Sequence, residues 1–62
     1  MPITPKEMIK KLQKNGFEVI GTRGSHVKLR NEKTGKQTEV PMHNGDLAKG
    51  IEHSILKQAG LK

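Results

Sequence analysis

The spacing of apolar residues changes twice along this chain, and those changes restrict it to one kind of fold. Near the start, Met8, Ile9 and Leu12 recur at helical intervals and form one stripe. From Phe17 the period drops to two. Phe17 and Val19 alternate with Glu18 and Ile20, and Val27 and Leu29 alternate with His26, Lys28 and Arg30. Past Met42 the longer period returns: Leu47, Ile51, Ile55 and Ala59 recur in register, with Ala48 and Leu56 beside them. The order predicted is helix, three antiparallel strands, helix.

Capping and turn residues punctuate that order. Thr4-Pro5-Lys6-Glu7 has Thr at the N-cap, Pro at N1 and Glu at N3, a capping box. Ile3 and Met8 occupy the positions of a hydrophobic staple, and Asn15-Gly16 is the stop. The first strand should run from Phe17 to about Arg23. Gly24-Ser25 suits a two-residue turn of type II′, and the second strand is His26 to Arg30. Asn31 to Lys36 reads as a polar loop. The third strand is about Gln37 to Met42, with Pro41 marking a sheet edge or strand end. His43-Asn44-Gly45-Asp46 reads as a turn delivering Asp46 as the second helix's N-cap, and Gly60 closes that helix. Gly50 inside it costs about 1 kcal/mol relative to Ala, which close packing would offset. One apolar stripe on each helix implies that both cover the same face of the sheet. The expected class is α+β, an αβββα arrangement, with residues 1–62 forming one domain of modest core.

Charge narrows the partners. Twelve Lys and Arg against six Asp and Glu give a net charge of +6, which favours a polyanion or an acidic protein. Phe17 is the sole aromatic residue, so binding of single strands by base stacking is not expected, whereas phosphate contact is. With no Cys, neither a disulfide nor a thiolate zinc site is available. The opening MPITPKEMIKKL has none of the order of a secretory leader, and no apolar run approaches the length of a membrane span. A cytoplasmic protein with no membrane association is expected.

The chemistry concentrates on the second strand. Alternation sends Val27 and Leu29 to the core and places His26, Lys28 and Arg30 together on the open face. An imidazole titrates near neutral pH and can move a proton, while Lys and Arg can hold a phosphate and stabilise its transition state. That is the minimum needed to cleave RNA at its own 2′-OH. The plainer reading is an ordinary polar strand face carrying an exposed His. Arg23 at the hairpin and the ridge of Lys6, Lys10 and Lys14 on the first helix are further candidate RNA contacts, though a solvated ridge is equally natural. Ser25-His26 and His53-Ser54 are poorly spaced for a nucleophile and base. His26, His43 and Asp46 match no metal-ligand spacing, so no metal or cofactor is expected. His43 should end the third strand, and His53 should lie on the exposed side of the last helix.

Three segments together resemble one family. The run Thr22-Arg23-Gly24-Ser25-His26 is similar to the Gly-Ser-His signature of the HicA toxins. PMHNGDLAKGIEHSILKQAGL resembles that family's closing segment, and the Thr-Pro-Lys-Glu helix start with its Asn-Gly stop resembles the opening. The resemblance spans about Pro2 to Leu61. It implies a fold like that of double-stranded RNA-binding domains, ribonuclease activity on mRNA, and a HicB-like antitoxin bound in a hetero-oligomeric complex. The family's catalytic His falls on His26. Roles for Arg23, Lys28 and Arg30 come from charge and placement alone. His26 would act as base towards the 2′-OH or as acid towards the leaving 5′ oxygen, and the neutral ring prevailing at pH 7 favours the base. The rival readings are a non-catalytic double-stranded RNA-binding module and an accessory that binds an acidic protein.

Overall fold

The computed structural model describes residues 3–43 and 45–62. Along the chain run α1 (Pro5–Lys14), β1 (Phe17–Arg23), β2 (His26–Asn31), β3 (Gln37–Pro41) and α2 (Lys49–Gln58). This is the αβββα order predicted.

The first helix is set by its own residues. Thr4 Oγ1 accepts from the Glu7 backbone N–H at 3.2 Å, and Glu7 Oε1 accepts from the Thr4 backbone N–H at 2.9 Å, closing the capping box. The Thr4 backbone donor, helped by the Thr4 hydroxyl, holds the Glu7 carboxyl below its ordinary range. Ile3 packs against the core that contains Met8, as a staple should. At the other end Asn15 is the C-cap, and Gly16 turns the chain at φ 91°, a conformation that costs glycine little.

The strands form one antiparallel sheet in the order β1-β2-β3, with β2 in the centre. Gly24 has φ 58° while Ser25 does not have positive φ, which fits the first position of a type II′ turn and rules out type I′. Pro41, with no N–H to give, ends the edge strand β3. Both helices lie on one side of the sheet. Met8 and Leu12 from α1 and Ile55, Leu56 and Ala59 from α2 join Phe17, Leu29, Val40 and Leu47 in a single buried cluster. Two polar residues are buried with them. The Thr38 hydroxyl donates to Gln58 Oε1 at 2.9 Å and stitches β3 to α2. Asn31, expected to open a loop, instead ends β2: its Oδ1 accepts from the Lys33 and Thr34 backbones, and its Nδ2 donates to the Asn15 carbonyl.

The second helix departs from expectation at its start. Asp46 does not cap it. Ala48 is the N-cap, without a side-chain hydrogen bond, and the helix begins at Lys49. The cause lies just upstream, where the Leu47 backbone N–H donates to the Ile3 carbonyl at 2.7 Å and the Leu47 side chain is buried. That bond and that burial hold this stretch outside the helix, and Ala48 keeps an extended ψ of 145°. With Leu47 off the helix the stripe narrows to Ile55, Leu56 and Ala59, and Ile51, expected within it, is 42% exposed. Gly50 is not explained by packing, since a Cβ there would meet nothing within 4 Å. The turn expected at 43–46 includes Asn44, which lies outside the described residues. The helix end is as expected: the N–H groups of Gly60 and Leu61 donate to the Lys57 and Leu56 carbonyls, a Schellman pair.

Candidate catalytic face

Residues opposite one another in an antiparallel sheet share a face, so the strand pairing defines the open side. Arg23 pairs with His26, Gly21 with Lys28 and Glu18 with Arg30 across β1 and β2. On the other flank His26 pairs with Pro41, Lys28 with Glu39 and Arg30 with Gln37. The neighbouring pairs, Thr22 with Val27 and Val40 with Val27, belong to the helix side. His26, Lys28 and Arg30 therefore do share the open face, with Arg23 beside the imidazole.

Arg23 reaches that face because of a bulge. The register shifts between Val19 and Gly21, so Ile20 is an extra residue in β1. Strict alternation from Phe17 would have turned Arg23 towards the core side. The bulge reverses the phase and leaves Gly21 opposite Lys28, an open floor where an added Cβ would touch nothing within 4 Å.

The position of His26 is well fixed. It is the first residue of β2, flanked by Arg23 and Pro41, and the Met42 N–H donates to the Ser25 carbonyl at 2.6 Å, holding the chain that leaves β3 against the hairpin turn. Its side chain is about half exposed, at 50%. The face also carries two carboxylates. Glu39 Oε1 lies 3.5 Å from His26 Nδ1, an ion-pair distance, and Glu18 stands opposite Arg30. The alternation Gln37-Thr38-Glu39-Val40 held the signal for Glu39, because Val40 and Thr38 must face the core. A groove of about 480 Å³ starts at His26 and Glu39, passes the β3 edge and reaches Ile51, Ser54 and Gln58 of α2.

The remaining candidates lie elsewhere. Lys6, Lys10 and Lys14 are exposed on the side of α1 opposite its buried Pro5, Met8 and Leu12, so the fold does not bring them to the face of His26. His53 is exposed on α2, and His43 follows β3 without belonging to it. Among the described residues no three His, Asp or Glu side chains converge on a point that could hold a metal ion, and no helix is long and apolar enough to cross a membrane.

Comparison with curated proteins finds no match. A family model described as "HicA toxin of bacterial toxin-antitoxin" matches residues 5–61. That span takes in both helices, all three strands and every residue of the open face. The chain belongs to the HicA toxin family, and its role is that of the toxin in a bacterial toxin–antitoxin pair.

Proposed function

We propose that this toxin is an endoribonuclease that cleaves mRNA without a metal, through His26, and is neutralised by an acidic HicB-like antitoxin. The observation that carries the reading is the placement of His26 on the open face opposite Arg23, with Lys28 next along the same face and facing the bare backbone of Gly21. His26 acts as the base. Its ring nitrogen takes the proton of a ribose 2′-OH, and the 2′ oxygen attacks the adjacent phosphorus as the bond to the 5′ oxygen breaks. The products are a 2′,3′-cyclic phosphate and a 5′-hydroxyl, the latter protonated by water or by Lys28. Arg23, Lys28 and Arg30 hold the phosphate and offset the charge that builds on it.

His26→Ala tests this directly. Its side chain is half exposed and outside the core, so the variant should keep its circular dichroism spectrum. Cleavage of mRNA in buffer containing EDTA should fall about 100-fold or more, the usual worth of a positioned acid or base. Wild-type cleavage by the folded variant would remove His26 from the mechanism. The ridge of exposed Lys6, Lys10 and Lys14 supports a second reading, in which α1 grips duplex RNA without cutting it. RNA that stays intact with wild-type protein, while binding depends on those lysines, would favour that module.

A further inference from the structure

We propose that Glu39 is a positioning residue for His26, holding the imidazole with its proton on Nδ1 so that the Nε2 lone pair faces the RNA. The proposal rests on the ribonuclease reading for its purpose, but its first test does not need it.

The contact follows from the strand register. Pro41 is the direct partner of His26, and Glu39 stands two residues back on the same face, the diagonal neighbour in an antiparallel pair. Its Oε1 lies 3.5 Å from Nδ1, the ring nitrogen nearer the backbone. The backbone of Glu39 has little freedom. Thr38 and Val40 on either side are buried, Thr38 is bonded to Gln58, and Pro41 follows. Catalytic contacts of this kind are often long in the free enzyme and tighten when substrate excludes water.

The chemistry of the carboxylate then selects the tautomer. An ionised carboxylate only accepts hydrogen bonds, so the nitrogen facing it must donate. A neutral imidazole has one N–H. Once Glu39 draws that proton to Nδ1, Nε2 is left as an acceptor, which is the form a base requires. An imidazole without such a partner favours the opposite tautomer, with the proton on Nε2 and no lone pair there. Glu39 would therefore decide which nitrogen is able to take the 2′-OH proton.

The alternative role of Glu39 has the opposite consequence. It is a negative charge on a face that must approach phosphates, among Arg23, Lys28 and Arg30. Were it merely part of a solvated surface, its removal would strengthen RNA binding and leave turnover unchanged or faster. If it positions His26, removal must slow turnover even while binding tightens.

The experiment uses the whole chain labelled with nitrogen-15, without RNA, at a pH where His26 is neutral. The imidazole resonances of wild type should show a protonated Nδ1 and an unprotonated Nε2. Glu39→Ala should shift them towards the reverse pattern. Both side chains of the pair are about half exposed, at 50% and 48%, so the variant should fold, and circular dichroism confirms that in the same sample. An unchanged tautomer in the folded variant overturns the proposal. Kinetics supply the second readout. Glu39→Ala should lower kcat about tenfold with KM equal or lower, a smaller effect than for a buried carboxylate–histidine pair because water competes here. A kcat that holds or rises overturns the positioning role. Full activity in His26→Ala would instead overturn the ribonuclease mechanism, and it is distinguishable because the tautomer shift would still be seen.

Discussion

Cations on the open face differ in how much of their charge is available to RNA. Lys28 stands opposite Glu39 and Arg30 opposite Glu18, whereas Arg23 stands opposite an imidazole, that of His26, and not a carboxylate. A carboxylate across the strand offsets part of a cation's attraction for phosphate, and an exposed pair of this kind contributes little to stability. Loss of a free cation should therefore weaken RNA binding more than loss of one with an acidic partner. Arg23→Ala should reduce the slope of log affinity against log salt by about 1, as expected for one phosphate contact. Lys28→Ala and Arg30→Ala should each reduce it by less, and together they should weaken binding to different RNA sequences alike. Titrations at several salt concentrations, on wild type and on these four variants, measure it. An unaltered slope for Arg23→Ala would take RNA off this face and make the lysines of α1 the next to replace.

At the scale of elements, α1 is the one whose stability depends most visibly on a titrating group. The Glu7 carboxyl is held below its ordinary value near 4.5, chiefly by the Thr4 backbone N–H. A lowered carboxyl favours the folded state above the unfolded value, and that contribution is lost as pH falls through the lower folded value. Glu7→Ala should thus melt earlier than wild type near pH 7, and the gap should narrow towards pH 3, as the wild-type carboxyl takes up its proton. Thermal melts at the two pH values measure it, and a gap of constant size would mean that charge has no part in the cap. Thr4→Ala removes the other half of the box and should cost about 1 kcal/mol at neutral pH. This helix was legible in the sequence because every signal for it lies within a turn of its ends. The start of α2 was not. Asp46 is a good cap residue, but the backbone bond from Leu47 to Ile3 and the burial of Leu47 are contacts between distant parts of the chain. Nor was the bulge at Ile20 legible, because it exists only through pairing with β2, and it alone brings Arg23 to the open face. His26, Lys28 and Arg30 were placed correctly by alternation within one strand. Glu39 carried the same signal in β3 but lacked a reason to be singled out until the register set it beside His26.

The whole molecule is a two-layer body of about 30 × 25 × 16 Å, with helices on one broad side and the open sheet on the other. Its size limits how an inhibitor can work. A standard interface buries about 800 Å² on each partner, and one broad side of this molecule measures roughly 30 × 25 Å. One partner of ordinary size thus covers either the sheet side or the helix side. Only the first choice occupies His26 and its neighbouring cations. The net charge of +6 favours an acidic inhibitor, since complementary potentials speed encounter and reject wrong partners. The expected outcome is that purified antitoxin and RNA exclude one another. Arg23→Ala should weaken both, while Lys6→Ala with Lys10→Ala should leave antitoxin affinity within about twofold, because those charges lie outside the covered face and salt screens them. His26→Ala should still bind antitoxin, since one half-exposed ring is a small part of such an interface. Calorimetry on these variants and a competition assay with labelled RNA give the answer together. A ternary complex of toxin, antitoxin and RNA, or loss of antitoxin binding in the Lys6 and Lys10 variant alone, would place the inhibitor on the helices, and inhibition would then have to act at a distance across the sheet.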